Sequence, residues 1–161
     1  MLAKWSFLLA VSSTCCASCS SSKREPLQIT VTECVDGFPT QEYDLTTQTM
    51  RVHNSQKPDA MIRFTLTAAE RETIENKYDE LGMERVDKAS VLEKECGQIP
   101  MPCRTLRVVR GTRTQKLFIR TACGEYTEDG KRTKTFLYTI MRIVEEKAEV
   151  KRAAGSDQMF L

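Results

Sequence analysis

The chain has 161 residues, with 24 Lys+Arg against 22 Asp+Glu, 40% apolar residues and a formal net charge of +2. One domain is the natural content of that length, and balanced charge makes neither a disordered polyelectrolyte nor a nucleic-acid arm; multidomain machines and polytopic membrane proteins are excluded too. Seven cysteines are the unusual quantity: Cys15, Cys16 and Cys19 crowd the amino terminus, whereas Cys34, Cys96, Cys103 and Cys123 are dispersed.

Residues 1–22 carry a charge at Lys4, an apolar run from Trp5 to Val11, and then small residues. This is the order of a secretory signal, and the run falls short of the ~20 apolar residues that a transmembrane helix needs. Cys16-Ala17-Ser18-Cys19 resembles a bacterial lipobox, with Cys16 at the position where Leu is usual. The resemblance implies a signal peptide over residues 1–18, lipidation of Cys19 as the new amino terminus, and an anchor and tether over residues 19–26. Ser20 to Pro26 would supply the flexible link. The alternative reading of the same leader is cleavage after Ala17 to release a soluble periplasmic or secreted protein.

Setting aside the leader cysteines and Cys19 leaves four thiols in a chain bound for an oxidising envelope. Two disulfides among Cys34, Cys96, Cys103 and Cys123 are therefore expected. Three connectivities are open. The aperiodic segment between Cys96 and Cys103 suits a local staple, with Cys34 and Cys123 closing a long loop. No pair among these four cysteines has zinc spacing and His53 is the lone histidine, so neither metal nor cofactor is expected.

In chain order, Leu27, Ile29 and Val31 alternate with Gln28, Thr30 and Thr32 in a strand ending near Cys34. Asp36-Gly37-Phe38-Pro39 reads as a turn. A second extended stretch runs from Tyr43 to His53, and a third strand from Met61 to Leu66. Thr67-Ala68-Ala69-Glu70 is a capping box, and the helix it opens carries Ile74, Tyr78 and Leu81 on one face before stopping at Gly82. Residues 83–103 read as irregular. Arg104 to Arg110 and Arg113 to Thr121 form a hairpin around Gly111-Thr112, with Leu106, Val108, Leu117 and Ile119 on its apolar side. Asp129-Gly130 reads as a turn, and a last helix from about Thr133 to Lys151 buries Phe136, Leu137, Ile140, Met141 and Val144. Residues 153–161 read as a flexible tail. The order predicts an α+β domain over residues 27–152, its mainly antiparallel sheet (three strands plus a basic hairpin) packed by two amphipathic helices.

The hairpin carries Arg104, Arg107, Arg110, Arg113, Lys116 and Arg120 with no acid between them. In the two-residue register Arg107 faces Lys116, which is unfavourable unless an anion or carboxylate lies near. Either the acidic first helix satisfies these cations, or they contact an anion or partner: a lipid headgroup, a glycan, or an acidic protein such as an enzyme with a carboxylate cleft. Nucleic acid is not an expected partner, because stacking and charge signatures are both lacking. His53 has no nucleophile motif to serve, and no Gly-rich phosphate loop or dinucleotide fingerprint is present, so no catalytic residue is named.

Leader, tether, Met61 to Thr67 with the Ala68-Ala69-Glu70 helix, the Cys96 loop, the basic hairpin and the final helix together resemble small uncharacterised lipoproteins of Bacteroides-type bacterial envelopes. That resemblance implies a bacterial cell-envelope protein held on the membrane by a lipid anchor, and it brings no activity. Ser20 to Arg24 lacks the acids that mark surface-directed lipoproteins, which points to the outer membrane facing the periplasm. The expectation is a non-enzymatic binding or structural module. Two alternatives are a periplasmic enzyme inhibitor, lysozyme-inhibitor-like, that inserts Arg107 and Arg110 into an acidic active site, and a periplasmic enzyme assembled from scattered residues.

Overall fold

The computed structural model describes residues 25–54, 56–87, 92–96 and 101–154. Strands β1 (Gln28–Val35) and β2 (Phe38–Asp44) form a hairpin closed by Asp36 and Gly37, whose φ angles of 51° and 84° are both left-handed. Such a two-residue loop matches the twist of its strands. Phe38 and Pro39, expected in the turn, therefore open β2. Pro39 is accommodated where the β1–β2 register slips at Cys34, a bulge at which a missing donor does little harm.

The stretch expected from Tyr43 to His53 is divided. Tyr43 and Asp44 end β2, the chain turns through residues 45–48, and β3 (Thr49–Val52) returns beside it. Neither Gly nor Pro marks this turn. Asp44 Oδ1 accepts from the N–H of Thr46 at 2.8 Å and of Thr47 at 3.0 Å, and Gln48 takes a φ of 56°. β4 (Ala60–Arg63) is shorter than expected, since Phe64 to Leu66 leave the ladder on the way to the next helix.

Helix α1 (Ala68–Glu80) opens on the anticipated capping box: Thr67 Oγ1 accepts from the Glu70 N–H at 3.2 Å, and Glu70 Oε2 accepts from the Thr67 N–H at 2.8 Å. Gly82, at φ 60°, follows its last turn. A 3-10 turn (Met83–Arg85) and a short strand β5 (Glu93–Glu95) occupy part of the segment expected to be irregular. β6 (Pro102–Arg110) and β7 (Arg113–Arg120) form the predicted hairpin around Gly111. β8 (Glu125–Tyr126) pairs with β5.

Helix α2 (Glu128–Glu145) begins earlier than its apolar stripe suggests, because Thr127 Oγ1 accepts from the Gly130 N–H at 3.1 Å and draws Asp129 and Gly130 into the first turn. Gly130 is required by packing: a Cβ there would strike the carbonyl of Leu92. α3 (Ala148–Ala154) is separate from α2, and Ala153 and Ala154, expected to begin the tail, complete it. The leader, Cys19, the tether to Arg24 and residues 155–161 lie outside the described residues.

The main sheet is six-stranded in the order β4-β3-β2-β1-β6-β7, antiparallel throughout, with β5–β8 as a separate ladder. The α+β class and the mainly antiparallel sheet stand, with six strands in place of five. Successive hairpins generate β1 to β4, and β6 returns along the free side of β1. Along each strand alternate side chains share a face. One face supplies Ile29, Val31, Tyr43, Met50, Leu106, Val108, Leu117 and Ile119 to a single core cluster that also holds Ile74 and Tyr78 of α1 and Phe136, Leu137 and Ile140 of α2. Tyr78 meets Phe136 edge-on at 5.6 Å. α2 buries a broad stripe, whereas α1 buries only Ile74 and Tyr78 and is polar around most of its circumference.

The four dispersed cysteines are all bonded, in a pairing that corrects the local-staple expectation. Cys34 joins Cys103 with Cα atoms 4.9 Å apart, and Cys96 joins Cys123 at 4.6 Å. The β1–β6 register sets Cys34 directly opposite Cys103, and the β5–β8 ladder brings Cys96 to Cys123. Among the described residues, no helix is long and apolar enough to cross a membrane.

Candidate functional site

The face of the sheet turned away from the core is defined by the strand registers. Glu42, Thr32, Thr105 and Phe118 fall in one cross-strand row, and Asp44, Thr30, Arg107 and Lys116 in the next. Arg107 and Lys116 are direct partners, both exposed, and among the described residues neither side chain makes an ion pair or hydrogen bond. The acids of these two rows, Glu42 and Asp44, sit on β2, two strands from β6 and so roughly 10 Å from Arg107 at the backbone. Glu42 faces Arg51 of β3, and Asp44 is occupied in its turn.

The hairpin cations thus divide by parity. Arg107, Lys116 and Arg120 share the outer face, while Arg104 and Arg110 lie on the core side and Arg113 is exposed beside the tip. Arg104 Nε donates to Glu33 at 2.8 Å, and its guanidinium also approaches Glu145 at 4.0 Å. Burial lifts the Glu145 carboxyl above its ordinary pKa; Arg104 opposes that rise, and Glu33 and Glu146 add to it. Arg110 Nη1 donates to Asp79 of α1 at 2.7 Å, and the guanidinium lies over the Tyr78 ring at 4.9 Å. Its Nε and Nη2 are shielded without a hydrogen-bond partner among the described residues, leaving the ring face as their neighbour. Tyr78 also donates to buried Gln115, whose amide donates to the carbonyls of Met83 and Val86. The acidic-helix expectation therefore holds for Arg110 and not for Arg107 or Lys116.

A shallow groove of about 480 Å³ crosses the outer face, lined among others by Thr32, Glu42, Thr105, Arg107, Lys116 and Phe118. It meets a second groove of about 270 Å³ beside Asp36, Met101, Cys103, Phe118 and Arg120. Phe118 is 47% exposed and Phe38, at the tip of the neighbouring hairpin, 75%. The combination offers cations and aromatic surface on a flat, open floor. The Cys34–Cys103 bridge lines both grooves, Cys34 the first and Cys103 the second.

Elsewhere, a cleft of about 270 Å³ lies where the chain enters β1, lined by Leu27, Ile29, Leu45, Leu66 and Ile74. Both of its charged side chains are engaged: Glu75 accepts from the Leu27 N–H at 3.4 Å and Arg71 donates to the Leu66 carbonyl at 3.1 Å. His53 Nδ1 lies 3.1 Å from Asp59 across the β3–β4 connection. Among the described residues no group of three or more His, Cys, Asp or Glu could hold a metal ion.

Phe38 was hidden from sequence reasoning because Asp-Gly-Phe-Pro reads as one turn, and Arg104 and Arg110 could have been separated from Arg107 by strand parity alone. No protein-family model matches the chain, and no curated protein matches it.

Proposed function

We propose that this chain is a membrane-anchored envelope lipoprotein whose domain is a non-enzymatic binding module, and that the outer sheet face receives an acidic component of the envelope. The lipobox-like leader and Cys19 support the anchor, at the outer membrane facing the periplasm. The observation that carries the binding reading is the Arg107–Lys116 pair: like charges directly opposite each other, neither in an ion pair among the described residues, on an open face next to an exposed aromatic ring. Such a pair destabilises the isolated sheet, and departures from local consistency concentrate at functional sites. The inhibitor reading has less support, because Arg107 and Arg110 lie on opposite faces and Arg110 is bound to Asp79.

The test is retention of the mature chain, from residue 19, on immobilised polyglutamate under a salt gradient. Arg107→Glu and Lys116→Glu are expected to elute at clearly lower salt than the parent, while Lys131→Glu, a charge-matched change on α2, elutes nearer to it. Co-elution of all variants with the parent would remove the outer face from the binding reading.

A further inference from the structure

The outer face carries an ordered pattern as well as a charge. Lys116, Phe118 and Arg120 succeed one another at every second position of β7, so their side chains stand on one face about 6.7 Å apart along the strand. Arg107 flanks Lys116 from β6, and Cys103 flanks Arg120. The line is therefore cation, aromatic, cation. Among the described residues none of these three cationic side chains has an ion pair or hydrogen bond; of the carboxylates near Arg120, Glu93 accepts from the Arg120 backbone N–H at 2.5 Å and Asp36, in the same groove, accepts from the Met101 N–H at 2.9 Å.

An extended polypeptide has the same repeat, with alternate side chains on one side. Resting on the binding reading above, we infer that the outer face recognises an extended protein segment of the pattern acid-x-apolar-x-acid, the two acids meeting Lys116 with Arg107 and Arg120, and the apolar side chain meeting Phe118. The pattern is the same in both chain directions, so either orientation of the segment satisfies it. Charge complementarity names the acids. The half-exposed ring between the cations, with Phe38 exposed nearby, names the apolar centre; aromatic and arginine side chains are the residues that interfaces between proteins favour. A polyuronate carries a carboxylate on every unit and so does not reproduce the alternation of charge with an apolar centre.

Fluorescence anisotropy with the disulfide-bonded mature chain tests this, using two labelled twelve-residue peptides of identical composition. One contains Glu-Thr-Leu-Thr-Glu and the other Glu-Glu-Thr-Thr-Leu; a polyuronate oligosaccharide is the third probe. The ordered peptide is expected to bind at least ten-fold more tightly than the permuted one, Phe118→Ser to erase that difference, and Lys116→Glu to abolish binding of both, each variant keeping a cooperative thermal transition. Equal binding of the two peptides would overturn the pattern and leave the cationic face standing. Lys116-dependent binding of the polyuronate, with neither peptide bound, would overturn the protein-segment assignment. Binding of all three probes unchanged by Lys116→Glu would overturn this inference and the reading it rests on together.

Discussion

Arg107 and Arg110 are three residues apart on one strand and lead different lives. Arg110 is held by Asp79 and the Tyr78 ring in a partly buried setting, so Arg110→Ala should cost about 1–2 kcal/mol. Lys116→Glu places an acid opposite Arg107 and should gain about 0.2–1 kcal/mol. Chemical denaturation of both variants checks the contrast; equal effects would mean that the two faces are not electrostatically distinct. Glu70 offers a pH handle. Its carboxyl accepts from Lys147 at 2.7 Å through Oε1 and from the Thr67 N–H, and the Lys147 bond, with the Thr67 contacts, holds its pKa below the ordinary value. A depressed carboxylate pKa stabilises the fold above the unfolded value of ~4.3 and ceases to do so as pH falls through the folded value. Glu70→Gln should therefore lose up to about 1 kcal/mol at neutral pH and converge with the parent in acid; a difference that persists at low pH would show that the effect is not ionic.

At the scale of elements, what the sequence made legible was local. The capping box at Thr67 and Glu70, the alternation of Leu106 and Val108, and the two-residue loop at Gly111 are each complete within a few residues, and each appears where the pattern puts it. The β2–β3 turn was not legible because an aspartate and a left-handed glutamine replace the usual Gly or Pro. The start of α2 was missed because Gly130 looks like a turn residue and is instead demanded by a backbone from elsewhere in the chain. Gly130→Ala should cost about 1–3 kcal/mol through overpacking against Leu92, despite the better helix propensity of Ala; a gain in melting temperature would contradict the contact. Disulfide pairing was illegible for the same reason at longer range, since it follows from which strand lies beside β1. The Cys34–Cys103 bridge spans 69 residues of sequence, and the chain-entropy argument assigns it about 4 kcal/mol. Replacing both cysteines with Ala should lower stability by that order, and a loss well under ~1 kcal/mol would place its role outside folding.

At the scale of the molecule, the chain enters beside the β6–β7 tip: the Glu25 carboxylate lies close against Gly111, and Gln28 pairs with Val109. The Cys34–Cys103 bridge, Phe38 and Phe118 lie toward the opposite end of the same strands. From Cys19 to Glu25 the chain can span at most ~20 Å. An acylated Cys19 would thus hold the hairpin tip near the bilayer and present the aromatic end of the outer face away from it. That orientation requires the anchor, and intact-mass measurement on protein extracted from the membrane fraction tests the anchor most directly. The expected result is a chain beginning at Cys19, carrying diacylglyceryl and amide-linked acyl mass and lacking the four hydrogens lost to two disulfides; an unacylated chain beginning at Ser18 would contradict it.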